Sequence, residues 1–265
     1  MFDVWVSYFR ANRDRQRVIE EGVDWRVDCR LSLQQRDALG HSLRRFERGE
    51  DGDGRRLLAH AARGDAAYAE ALGLLVAEEQ RHSALFRRGL AHLGVPPLSG
   101  HWSEAGFQVL RRMLGLRTEV LLFLVAEAVA MEYFEALRDA VPDPVLRGIG
   151  LRIATDEVEH IRFQVDGLRA LCEGWPAPAR LALGLLGGVA AVGAATVLAV
   201  DHRAALNVCG LRPGGYWWRA LRRYRGAAGA ALGGRDAGIG PTGALREFRA
   251  GEAPRPAASG EGVGY

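Results

Sequence analysis

Two Glu-x-x-His units, Glu79–His82 in "AEEQRHSAL" and Glu157–His160 in "TDEVEHIRF", lie inside the apolar stripes of long helical patterns. At helical spacing the first shares its face with Tyr68, Leu72, Leu75, Val76, Ser83 and Phe86. An amphipathic helix turns such a face toward the core, where a carboxylate is costly unless paired, protonated or bound to a metal. Glu and His three residues apart stand one turn apart on the same side, so both can reach one ion. Scattered at random over 265 residues, the chain's 18 Glu and 7 His would give about half of one such unit. Two units on apolar faces require a fold that brings those faces together around something that compensates their charge.

Strand signals are nearly absent and four long helical patterns stand out, so the chain is predicted to be all-α. The first pattern runs from Ser32, an N-cap candidate, through Leu39, Leu43 and Phe46 to Leu57 and Leu58, with "GEDGDG" at 49–54 as a point of breakage or kinking. A turn at "RGDA" (63–66) leads into the second, from about Asp65 to Leu93, which Gly94 and "GVPPLSG" end. The third spans Ser103 to Asp139. After the "VPDP" turn at 141–144 the fourth covers about 145–171. Short turns make the first and last pairs antiparallel hairpins, and the passage at about 95–115 joins them. That is the pattern of a four-helix bundle with one long crossover, here with additional C-terminal helices.

In an antiparallel hairpin, residues equidistant from the turn lie at one height. Reflecting Glu157 through "VPDP" lands on Glu127, within the apolar "LLFLVAEAVAM"; reflecting Glu79 through Gly64 and Asp65 lands on Glu50. Each hairpin thus carries a lone Glu, a turn, then Glu-x-x-His. The repeat predicts a pseudo-twofold site of Glu50, Glu79, His82, Glu127, Glu157 and His160, a ligand set suited to a pair of iron or manganese ions. Four carboxylates would repel one another without cations between them. Glu47 and Asp53 are alternatives to Glu50 as the first-helix ligand, and a buried pair with an Arg is the alternative reading of Glu127. Glu132 and Glu135 face away from Glu127 and are expected to be solvated. Glu78 and Asp156 each precede a motif Glu. They either accept the second N–H of a ligand His from the opposite half, fixing its tautomer, or are solvated helix charges.

Around the bundle, predicted at 31–172, residues 1–30 form an N-terminal extension expected to pack on it. Residues 173–225 supply an apolar helix and an Arg/aromatic helix, and 226–265 a Gly/Ala/Pro-rich tail expected to be disordered. The uncharged 181–200 segment is roughly 30 Å long as a helix, enough to span a bilayer. It reads either as a membrane anchor or as a packed fifth helix. We favour the packed helix, because six Ala and four Gly weaken its hydrophobicity. Gly184-x-x-x-Gly188 suits close packing in either setting. "WWRALRRYR" (217–225) is expected to be a solvated face with aromatic anchors rather than a lipid or nucleic-acid contact. All 35 basic residues are Arg, a bias that fits a GC-rich genome, so the pI near 9.0 and net charge of +3 do not point to nucleic acid. Cys29, Cys172 and Cys209 are far apart with no CxxC, and the first residues lack a signal-peptide layout. A cytoplasmic setting is therefore expected.

With "FERGEDGDG", "VAEEQRH", "HWSEAGF", "LGLRTEV", "VAEAVAMEYFEALRD" and "DPVL…DEVEHIRF", residues about 30–172 resemble the ferritin-like superfamily of di-iron carboxylate proteins. More narrowly they resemble a bacterial branch described as ferritin-like domain proteins. The resemblance implies a bundle whose six named residues bind two metals, and it tilts 181–200 toward a packed helix. Related N-oxygenases place an extra His one turn before the second Glu-x-x-His. Here that position is Ile153, which argues against that chemistry. No Tyr sits at an obvious place for a radical role. The expected function is O2-dependent oxidation or hydroxylation of a small organic substrate at two iron ions, with Mn/Fe or Mn/Mn as variants. No flavin, nicotinamide or iron–sulfur motif is present, so an external electron donor is expected, and a homodimer is allowed. The competing readings are an iron-handling ferroxidase and a non-catalytic metal-binding bundle.

Overall fold

The computed structural model describes residues 1–98, 115–233 and 240–241, and its described secondary structure is entirely helical. The helices are α1 (Asp3–Glu21), α2 (Leu33–Glu50), α3 (Arg55–Ala61), α4 (Ala66–Leu93), α5 (Leu116–Ala140), α6 (Pro144–Leu171), α7 (Ala177–Asp201), α8 (Arg203–Val208) and α9 (Pro213–Leu232). Local chemistry sets most of these boundaries. The Ser32 hydroxyl accepts the Gln35 N–H while Gln35 returns a bond to the Ser32 N–H, a reciprocal cap that starts α2. Asp65 starts α4 by accepting the Tyr68 N–H at 2.8 Å, and Gly94 ends it in the left-handed region at φ 71°. Asp143 accepts the Leu146 N–H, with Pro144 beginning α6.

The first pattern, expected to run to Leu58, is two helices. The chain leaves helical geometry after Glu50 and turns at Gly54, whose φ is 59°. A side chain there would be strained, and its Cβ would lie 2.8 Å from Val76 on α4. Most of the crossover expected at about 95–115, and the start of the third pattern, fall on residues 99–114, outside the described residues.

α2 packs along α4, α5 along α6, and α4 against α6, which joins the two hairpins. Tyr68 of α4 stacks on Phe163 of α6 (5.5 Å), whereas Gly89 of α4 lies beside Ile149. The two helices are therefore antiparallel, and Glu79–His82 meets Glu157–His160 at mid-height. Trp5, Phe9, Tyr68 and Phe163 close one end of this layer, and Phe46, Phe86 and Phe134 the other. Aromatic walls on both sides keep water from the polar groups between them.

The flanking segments hold three corrections. Glu132 and Glu135 are not free solvated charges: Arg223 of α9 pairs with both, and Arg219 with Glu132. The helix within 217–225 runs on to Leu232, past the expected tail boundary at 226. Buried Ala231 and a bond from Arg169 to the Ala230 carbonyl (2.7 Å) hold this end. The packed fifth helix is packed on one face only. Leu183, Gly187, Ala191, Ala195 and Ala199 of α7 are buried, while Leu181, Leu185 and Val189 stand in solvent. Its tight point is Gly187, where a side chain would collide with the Tyr224 hydroxyl; beside Gly188 there is open space. α7 is long and apolar enough to cross a membrane by length and composition.

Candidate metal centre

The ligand candidates converge from both hairpins. Glu79, His82, Glu157 and His160 each offer a ligand atom, and these atoms all lie within 4.8 Å of one another. The imidazoles stack with centroids 5.4 Å apart, both turning Nδ1 inward. His82 Nδ1 lies 3.4 Å from Glu157 Oε1, and His160 Nδ1 lies 2.8 Å from Glu79 Oε1. Glu50, the last residue of α2, hydrogen-bonds Glu79 and feels the charges of Glu157 and Glu127. Glu127 of α5 is buried and accepts one bond from Gln164 at 3.3 Å.

Neither alternative ligand reaches the cluster. Glu47 is turned to Arg87 (2.9 Å), and Asp53 caps Arg55 at the glycine break. The side-chain partner of Glu127 is the neutral Gln164 rather than an Arg. Ile153 is fully buried and supplies no ligand.

The inward-facing atoms are left unsatisfied. Glu79 Oε1, Glu127 Oε2, Glu157 Oε2 and both Nδ1 atoms are buried without hydrogen-bond partners. The 2.8 Å approach of His160 to Glu79 lies too far off the ring N–H direction to be a hydrogen bond. One orphaned buried polar atom costs about 1–3 kcal/mol, so five on Glu79, His82, Glu127, Glu157 and His160, four of which bring a ligand atom within 4.8 Å of the others, are poorly explained by hydrogen bonding alone. They fit a cation. The Cys29–His92–Asp143 cluster differs: Asp143 is satisfied by His92 and by the Arg30 and Leu146 N–H groups, and needs no ion.

Electrostatics agree. Burial, then the neighbouring Glu79 charge, pushes the Glu50 carboxyl well above the carboxylate range; burial and Glu157 do the same to Glu127. Burial also opposes ionisation of Glu79, but the hydrogen bond from Glu50 and the fields of His160 and His82 outweigh it and hold Glu79 low. Burial alone would lower His160, yet Glu79, Glu78 and Glu157 keep it well above the usual imidazole value. The shifts of Glu50, Glu127 and His160 all favour the protonated form, so a cation binding among them competes with protons.

Around the ligands lies a crossed clamp. His82 Nε2 meets Asp156 Oδ2 at 2.9 Å and His160 Nε2 meets Glu78 Oε2 at 2.9 Å, each imidazole held by the opposite hairpin. With Nε2–H donating outward, each Nδ1 keeps its lone pair facing the centre. Helix α1 locks this layer. Asn12 donates to Glu78 (2.9 Å) and Asp156 (3.0 Å), Gln16 donates to Asp156 (3.2 Å), and Arg152 pairs with Asp156 and Glu20. Buried Tyr8 accepts a bond from Arg15, which stands 3.9 Å from Asp156. Sequence reasoning missed Asn12, Arg15 and Gln16. Their signal was available: they continue the Trp5–Tyr8–Phe9 stripe at helical spacing, polar groups on an apolar face like the Glu-x-x-His units themselves.

No known protein family, curated protein or solved structure matches this chain. What the residues establish is a buried Glu/His cluster able to hold a metal ion.

Proposed function

We propose that α2, α4, α5 and α6 form a ferritin-like four-helix bundle and that its centre holds two iron ions. On this reading the protein uses O2 to oxidise or hydroxylate a small organic substrate, with electrons from an external donor. The five unpartnered buried atoms on these residues, with Glu79, His82, Glu157 and His160 meeting within 4.8 Å, carry the proposal. Bound iron would supply the redox chemistry and the binding of O2. Glu79, His82, Glu157 and His160, with Glu50 and Glu127 beside them, would hold the ions. Asp156 and Glu78 fix the imidazole tautomer, and the aromatic walls exclude water. The six ligands are also an iron-handling set, so substrate oxidation must be tested directly.

The test is iron per chain after growth in iron-supplemented medium, beside a Glu127→Ala variant and an O2-uptake assay with a chemical reductant. About two irons per chain, lost in the variant together with O2 uptake, support the proposal. Two manganese ions would keep the site and move the chemistry. Iron uptake that builds large shells without substrate turnover would favour iron handling. No retained metal, with the variant as stable as the parent, sinks the reading.

A further inference from the structure

The region after the bundle has one exposed apolar face and one sign of charge. Leu185 is 63% exposed, Val189 73% and Val200 71% on α7, and Trp218 is 66% exposed on α9. A mostly apolar groove of 530 Å³ opens between the two helices, lined by Ala199, Val200, Arg203, Pro213 and Trp217. Residues 175–233 contain seven Arg and a single acid, Asp201, which Arg45 and His41 engage from α2. Arg203, Arg222 and Arg225 are exposed and form no ion pair among the described residues, and Trp218, Arg222 and Arg225 follow one another at helical spacing.

We infer that this face docks on an anionic lipid bilayer, with α7 lying in the interface plane. Apolar side chains framed by Trp and Arg are the composition of an interfacial helix: the chains enter the acyl boundary while guanidinium groups meet lipid phosphates. Crossing the bilayer would require α7 to leave α5 and α9, to which Gly187 and its neighbours are packed at close range. A second copy is a poorer occupant, because a twofold pairing of this face would bring the same arginines together. An apolar groove with Arg203 as its one charged lining residue has the polarity of one acyl chain beside one phosphate. This inference is independent of the metal centre.

The full-length protein is tested by flotation with vesicles of phosphatidylcholine alone or of equal parts phosphatidylcholine and phosphatidylglycerol. Binding is expected only to the anionic vesicles, weakening as salt is raised. Leu185→Glu with Val189→Glu, both in solvent and harmless to packing, should lower binding about tenfold or more. Arg222→Gln should lower it about fivefold while leaving metal content unchanged. Circular dichroism confirms that each variant folds. Absence of vesicle binding overturns the inference, as does equal binding to neutral vesicles. So does a concentration-dependent dimer, abolished by the Glu pair, in protein that ignores lipid.

Discussion

The two hairpins carry the same ligand pattern on unequal scaffolds. In the α5/α6 half, Glu127 sits mid-helix, buried, with one oxygen tethered by Gln164. In the α2/α4 half, Glu50 is the terminal residue of its helix, half-buried, and the next regular residue is beyond a glycine turn. A ligand on a continuous helix is pre-positioned; one at a helix end must be ordered when it binds. The pseudo-symmetry is therefore in the residues and not in their rigidity, and the two ions of the proposed site should differ in affinity.

Ligand removal gives the largest expected effect. Glu127→Ala should weaken metal binding more than about a hundredfold, and Glu50→Ala about tenfold, because part of Glu50's contribution is spent on ordering the chain end. Chelator competition measures both. Equal losses would break the comparison and make the halves equivalent. Next come the clamp residues. Asp156→Asn and Glu78→Gln each remove the carboxylate that holds an imidazole, a change of about 10–100-fold in metal affinity. Asp156 also receives Asn12, Gln16 and Arg152, whereas Glu78 receives Asn12 and lies 3.5 Å from Arg81, so Asp156→Asn should be the costlier. The reverse order would show that α1 does not lock the clamp.

Much of this difference was legible in the residues. The register of both hairpins followed from their turns, because Asp65 and Asp143 cap the helices that begin there. Reflection through the first turn lands on Glu50 but leaves Glu47 and Asp53 as alternatives, which only the direction of their side chains in the fold separates. The crossed clamp was visible as one of two readings of Glu78 and Asp156. Three things were not legible. The glycine run was marked as a weak point, but its consequence depends on Val76 filling the space beside Gly54, a tertiary contact. The pairing of Glu132 with Arg223 depends on where α9 docks, which no periodicity states. Helix α1 carried its polar stripe openly, yet what that stripe touches is decided by packing against α4 and α6.

The α2 half has a further weakness on the acid side. His202 is buried against Phe46 and Tyr133 with Ser42 at 2.7 Å, and burial lowers it to about 4. Its folded value is below the unfolded one near 6.5, so unfolding takes up a proton between these limits. Stability is full above about pH 6.5 and falls as pH drops toward 4, by at most about 1.4 kcal/mol per unit. Denaturation across this window should show a shallower acid limb in His202→Phe than in the parent. Identical slopes would mean that His202 is charged or solvated in the folded protein.

The smallest effect tests the break itself. Gly54 needs a left-handed backbone and faces Val76, whereas Gly49 and Gly52 have open space where a side chain would go and no positive φ. Gly54→Ala should cost about 1–2 kcal/mol of folding stability. Gly52→Ala should leave it almost unchanged or raise it slightly, because alanine restricts the unfolded chain. If the turn at Gly54 is what presents Glu50, then Gly54→Ala should also weaken one metal equivalent and leave the other, whereas Gly52→Ala touches neither. Loss of both equivalents together would mean that the two ions bind as one cooperative unit, and that the unequal scaffolds govern folding rather than affinity.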